Sequence, residues 1–138
     1  MCSFALLDHP SDIGIEAKGS TLCEAFSSAA LGLTSLIVDP ETIRSSGSRE
    51  IDIEADDDEM LLIKWLNELI FLFDARNFIM KDITTLTIEN NRLKAKIRGE
   101  SFSADRHAPR VDVKAVTFHQ LYIGEQNGVW TIRVFVDL

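Results

Sequence analysis

Apolar residues recur at helical spacing in two stretches of the chain. Over about Leu22 to Val38, Phe26, Ala29, Ala30, Leu33, Leu36 and Ile37 fall at i, i+3, i+4, i+7, i+10 and i+11, one continuous stripe down a helix. Thr21 and Glu24 have the spacing of a capping box, in which each side chain satisfies a backbone N–H at the helix start. Asp39-Pro40 closes the helix, because a residue before proline is pushed out of helical geometry. The second stretch covers roughly Asp58 to Asn77. Its core stripe is Leu62, Trp65, Leu66, Leu69, Leu72 and Phe73, widened by Ile70 and Phe71, so this helix is expected to be the central one, covered on more than one side. Asp56, Asp57, Asp58 and Glu59 cluster at its start, where negative charge complements the helix dipole. The run lacks the alternating spacing and following Gly and Glu of a calcium loop, so capping is the favoured reading.

Elsewhere the period is two. Ile13, Ile15 and Ala17 alternate with Gly14, Glu16 and Lys18, and Ile51, Ile53 and Ala55 alternate with charged neighbours. Residues 83–88 and 93–98 flank Glu89-Asn90-Asn91-Arg92, a hairpin turn in which asparagine tolerates positive φ. Residues 111–123 and 129–138 flank a longer hairpin, Gly124-Glu125-Gln126-Asn127-Gly128. In the closing strand Trp130, Ile132, Val134, Val136 and Leu138 share one face, while Thr131, Arg133, Phe135 and Asp137 share the other. The order strand, helix, strand, helix and then four strands predicts an α+β two-layer domain. Two helices pack on one face of a mixed β-sheet.

Composition adds limits to that picture. The 138 residues suffice for one domain, residues 1–138, with a core that needs no disulfide. No apolar run is long enough to cross a bilayer, and the first residues lack the basic start of a signal peptide, so a cytoplasmic location is expected. Cys2 and Cys23 show no paired or metal-ligand spacing and read as ordinary thiols, Cys2 in a loose terminus. A net charge of −8 argues against a protein whose main task is gripping phosphate backbones. There is no Walker A loop, no Gly-x-Gly-x-x-Gly and no nucleophile elbow, which makes an independent nucleotide-using enzyme a poor fit.

Four places could carry chemistry. Asp137 lies beside a carbonyl and an α-carboxyl at Leu138, an oxygen-rich corner that suits a hard cation such as calcium or magnesium. Asp12, in His9-Pro10-Ser11-Asp12-Ile13-Gly14, is the candidate to join it. From that segment alone, Ser11 and Asp12 bonding turn N–H groups is the favoured account. The run Gly99 to Pro109 concentrates polar side chains in a loop, where function often lies. Arg106 pairing with a nearby carboxylate explains it equally well. His119, in an apolar strand, is read as a hydrogen-bonded core histidine. Lys94, Lys96 and Arg98 alternate with Leu93, Ala95 and Ile97 as a basic row, by default a solvated outer face, with phosphate contact the sharper alternative.

Taken together, three stretches resemble the archease family. They are His9-x-x-Asp12-Ile13-Gly14 followed by Thr21-Leu22-x-Glu24-Ala25-Phe26, the helix Trp65-Leu66-Asn67-Glu68-Leu69-x-Phe71-Leu72-Phe73-Asp74, and Arg106-His107 through Lys114-Ala115-Val116-Thr117-Phe118-His119. The ending Val136-Asp137-Leu138 is also similar. Pro10-Ser11 stands where the family commonly has Thr-Ala, and Phe118 where it has tyrosine. The resemblance implies not an enzyme but an accessory protein of RtcB-class RNA ligases in tRNA splicing and RNA repair, one that promotes guanylylation of the ligase and multiple turnover. It further implies a divalent ion, calcium in the family with magnesium or manganese as alternatives. The ion would be held by Asp12, Asp137 and a main-chain oxygen of Leu138, which moves Asp12 from turn residue to ligand. Contact with RNA would be indirect or weak. Two other classes compete: a chaperone-like interaction module whose metal only pins the chain together, and a stand-alone metal-dependent phosphohydrolase, which lacks a two-metal ligand set. Functional or structural roles remain open for His9, Arg106, His107 and His119.

Overall fold

The computed structural model describes residues 2–8 and 13–138, without the side chains of Cys2 and Asp8. Helix α1 (Leu22–Ile37) starts where the capping box predicts: the Thr21 hydroxyl accepts from Glu24 N–H, and the Glu24 carboxylate accepts from Ser20 N–H. Its apolar stripe is buried throughout. Helix α2 (Asp58–Arg76) is capped by the Asp57 carboxylate, which accepts from Met60 N–H at 2.8 Å, so the acidic run is a helix start. Asn77 closes α2 in the left-handed region at φ 54°. The two helices are tied through Trp65, fully buried, whose indole N–H donates to the Phe26 carbonyl at 3.0 Å.

The strands are β1 (Cys2–Asp8), β2 (Ile13–Gly19), β3 (Gly47–Glu54), β4 (Phe78–Glu89), β5 (Arg92–Ser101), β6 (Ala115–Gln126) and β7 (Val129–Asp137). The α+β class expected from the sequence holds. The strands differ from one mixed sheet in forming two sheets, β1-β2-β7-β6 and β3-β5-β4, with antiparallel pairing throughout. The division arises after Ser101. There the chain leaves the second sheet through a short helix α3 (Ala104–His107), a segment expected to be loop, and an extended passage before β6. That passage is not free strand, as the span 111–123 implied. Arg110 and Val111 donate their N–H groups to the Ile37 and Leu36 carbonyls, and the Arg110 guanidinium donates to the Ser35 carbonyl. The last turn of α1 has no basic residue of its own, and Arg110 supplies the charge and donors its carbonyls need.

Two further expectations change. The segment around Cys2 is strand β1, paired along its length with β2, rather than a loose terminus. The second hairpin turns at Asn127-Gly128, with φ 55° and 78°, instead of over five residues. An Asn-Gly pair matches the twist of the flanking strands, so the ladder runs to the tip. The first hairpin turns at Asn90-Asn91, φ 51° and 61°, as read from the sequence. Lys94, Lys96 and Arg98 are exposed, and Arg98 and Arg92 form two-pronged pairs with Asp82 and Asp52, the solvated-face reading of that row. Among the described residues no helix is long and apolar enough to cross a membrane.

Candidate functional site

The closing strand and the start of β2 define one corner of the four-stranded sheet. Ile13, the residue that follows Asp12, pairs with Val136, the residue that precedes Asp137. On the other side of β7, Ala115 pairs with Asp137, and Lys114 N–H donates to the Asp137 main-chain carbonyl at 2.9 Å. Buried Ile132, Val134, Phe135 and Val136 hold β7 in the core, while Asp137 and Leu138 are exposed. Asp12 itself, like His9, lies outside the described residues. Among the described residues no three His, Cys, Asp or Glu side chains gather as a metal cluster. The described corner offers a carboxylate and main-chain oxygen, donors of the hard type that calcium and magnesium take, with one more carboxylate required from outside it.

A second cluster, at the end of β5, is the one buried group of charges in the described core. Glu100 is 7 % exposed and His107 is fully buried. The Glu100 carboxylate accepts from Arg44 N–H at 2.7 Å, from His107 Nε2–H at 2.8 Å, and from the Arg106 guanidinium. His107 Nδ1 accepts from Ser103 N–H at 2.8 Å, which leaves Nε2 as the protonated nitrogen and fixes the tautomer. Burial pushes the Glu100 carboxyl up. The hydrogen bonds from His107, Arg44 and Arg106 together outweigh it and bring the group down to about 2. The Thr42 hydroxyl donates to the His107 carbonyl, and the His107 ring stacks on Phe102 at 5.6 Å. Every polar atom of the Glu–His pair faces another part of the fold, so this is a clamp between β5, α3 and the turn at Pro40–Thr42. The Arg106–carboxylate pairing, one of the two accounts the sequence offered for this run, is present. The core histidine is His107, whereas His119 is exposed on β6, its ring 6.2 Å from Phe135.

Strand β6 is an edge strand, and it is interrupted. The Asn67 side-chain amide on α2 accepts from Val116 N–H at 2.9 Å and donates to the Val116 carbonyl at 3.4 Å, standing in for a neighbouring strand. Just beyond, the register jumps: Thr117 pairs with Phe135 and Tyr122 with Arg133, so residues 118–121 lie opposite Val134 alone. Gln120 adopts φ 53° within this bulge. Nothing in Phe118-His119-Gln120-Leu121 signals a turn, so the bulge is not legible in the sequence.

The match to known proteins covers nearly the whole chain. The archease protein family matches residues 4–138. Protein archease of Pyrobaculum neutrophilum is 36% identical over 135 residues, 95% of this chain and 92% of that one. The Sulfolobus acidocaldarius archease is 35% identical over 139 residues and covers 100% of both chains. The solution structure of Methanobacterium thermoautotrophicum protein 1598 superposes with a TM-score of 0.81 at 30% identity, over 98% of each chain. The crystal structure of the Thermotoga maritima archease, named a possible chaperone, has a TM-score of 0.61 at 18% identity over 96% of this chain and 94% of that one, a likeness of fold. With sequence and architecture agreeing from the first sheet to the last strand, the chain belongs to the archease family.

Proposed function

We propose that this protein is an accessory activator of an RtcB-class RNA ligase, promoting guanylylation of the ligase and its multiple turnover in tRNA splicing and RNA repair. In this reading Asp12, Asp137 and a main-chain oxygen of Leu138 hold a divalent ion, calcium or one of its alternatives. Family membership supports the partner. The observation that carries the metal reading is the pairing of Ile13 with Val136, which brings the residues adjoining Asp12 and Asp137 side by side. A divalent ion, when bound, supplies positive charge that offsets a nucleoside triphosphate. The chain's own part is to aim carboxylate and carbonyl oxygens outward from a rigid strand end. Asp137 and Leu138 are exposed, and a site with so few protein donors leaves positions for water or for groups of the partner.

The test is single-turnover guanylylation of a cognate ligase with GTP and a series of divalent metals. Asp12→Ala and Asp137→Ala are each expected to reduce the stimulation by roughly tenfold or more, at least what loss of an outer-sphere partner costs a metal site. Unchanged rates in both variants would take the metal out of the mechanism. The second reading, a chaperone-like module whose ion only pins the fold, is favoured by the name of the Thermotoga maritima relative. Under that reading both variants stimulate fully but melt at lower temperature.

A further inference from the structure

We propose that the bulge in β6 is the surface that docks on the ligase, with Phe118 entering an apolar pocket of that partner. The inference rests on the ligase being the partner, and it adds the side chain that makes the contact.

Phe118 is 52 % exposed, the most exposed of the large apolar side chains among the described residues. Leaving a phenyl ring in water forfeits burial that rings such as those of Trp65, Phe26 and Phe78 obtain in the core. The backbone that presents it is strained as well. A glutamine at φ 53° is uncommon, and such conformations persist where the surrounding structure enforces them, often at contact sites. Here the enforcement is visible on both sides. Upstream, Asn67 clamps Val116 by both main-chain groups. The Thr117 hydroxyl accepts from His119 N–H at 3.3 Å and lies within hydrogen-bonding distance of the Phe135 carbonyl, to which it donates at 3.4 Å. Downstream, the Tyr122 ring lies under the Arg133 guanidinium at 5.7 Å. Phe118, His119 and Gln120 are therefore held out from the sheet as an exposed group on a fixed base.

The position of the bulge identifies the occupant. Ala115 pairs with Asp137, and Phe118 follows three residues later, about 10 Å along a strand. A partner whose interface is centred on the oxygens of Asp137 and Leu138 extends as far as this segment, because an interface of ordinary size is wider than that separation. The bulge breaks the row of main-chain groups that an added strand would use, so the partner reads side chains instead. Nucleic acid is the weaker fit. The cation opposite Tyr122, Arg133, is already paired with Glu16 at 3.0 Å, and the chain carries a net charge of −8.

The experiment measures binding of the full chain to the immobilised ligase, beside single-turnover guanylylation across a concentration series. Phe118→Ala is expected to weaken binding by roughly tenfold or more, as loss of a central aromatic anchor does. Its maximal stimulation at saturating protein stays as in the unmodified chain, since the oxygen-rich corner is intact. Phe118→Tyr should restore affinity, and Leu6→Ala, on the opposite edge strand, should leave it unchanged. Equal affinity for Phe118→Ala and the unmodified protein overturns the anchor while leaving the ligase reading standing. Failure of the unmodified protein to bind the ligase overturns both. Loss in Phe118→Ala of binding to RNA alone, or of a self-associated form seen by sedimentation, assigns the ring to those partners and overturns the proposal.

Discussion

Replacement of Glu100 by alanine is expected to cost about 3 kcal/mol, which lowers the thermal midpoint of a domain this size by roughly 10 °C. The reason is what remains behind. His107 Nε2–H and Arg44 N–H would lose their acceptor in a region where Glu100 is 7 % and His107 0 % exposed, and the buried His107 donor has no water to turn to. Arg106 loses less, because its side chain is 38 % exposed. The same carboxylate makes stability depend on pH. Its folded value, about 2, lies below the ordinary 4.5, so its contribution is fully present above the ordinary value. It is lost progressively as pH falls from there toward about 2. Glu100→Gln keeps the shape and removes the titration. Urea unfolding of the two proteins between neutral and acid pH should therefore converge in that window, and parallel curves would contradict the assignment.

Gly99→Ala is expected to be nearly as damaging, about 3 kcal/mol, at the upper end of what overpacking costs. A Cβ at position 99 runs into the Ile79 carbonyl, with Met80 Cα 3.0 Å away. Both are backbone, so no rotamer relieves the clash. The adjoining β4 segment is irregular, with register shifts between Met80 and Asp82 and again between Ile83 and Thr85. Displacing it also moves Glu100, the next residue in β5. Gly47, the cross-strand partner of Gly99, is the control, because a Cβ there meets nothing nearer than the Gly99 carbonyl oxygen at 3.7 Å. Gly47→Ala should leave the free energy of unfolding within a few tenths of a kcal/mol or raise it. Comparable losses in both variants would mean that strand propensity, not the close approach, governs this position.

These two sites show where sequence reasoning reached and where it stopped. The helices were legible because capping and apolar spacing agree within a single segment: Thr21 with Glu24, Asp57 with the stripe through Trp65. The Asn90-Asn91 turn was legible because its chemistry is local. Strand β1 was not, since Phe4 and Leu6 stay substantially exposed on an edge and no polar alternation marks a buried face. The exchange of roles between His107 and His119 has the same origin. His119 sits in an apolar strand and His107 in a polar run, yet burial falls to His107 because α3 folds it back on a carboxylate seven residues earlier. The return from the second sheet to the first runs through the Arg110 passage across the end of α1, a contact between residues 75 apart that no spacing rule contains. The Asp12, Asp137 and Leu138 set was drawn from strand pattern and family likeness. The described backbone supplies the pairing of their neighbours, and Asp12 stays outside it.

The bond from the Trp65 indole to the Phe26 carbonyl makes the protein its own optical gauge. One indole is sealed between the helices, and the other, Trp130, lies half-buried on the four-stranded sheet. A water-borne quencher such as iodide meets only the second while the helices stay together. The light that survives quenching is thus a running record of whether α1 and α2 have come apart.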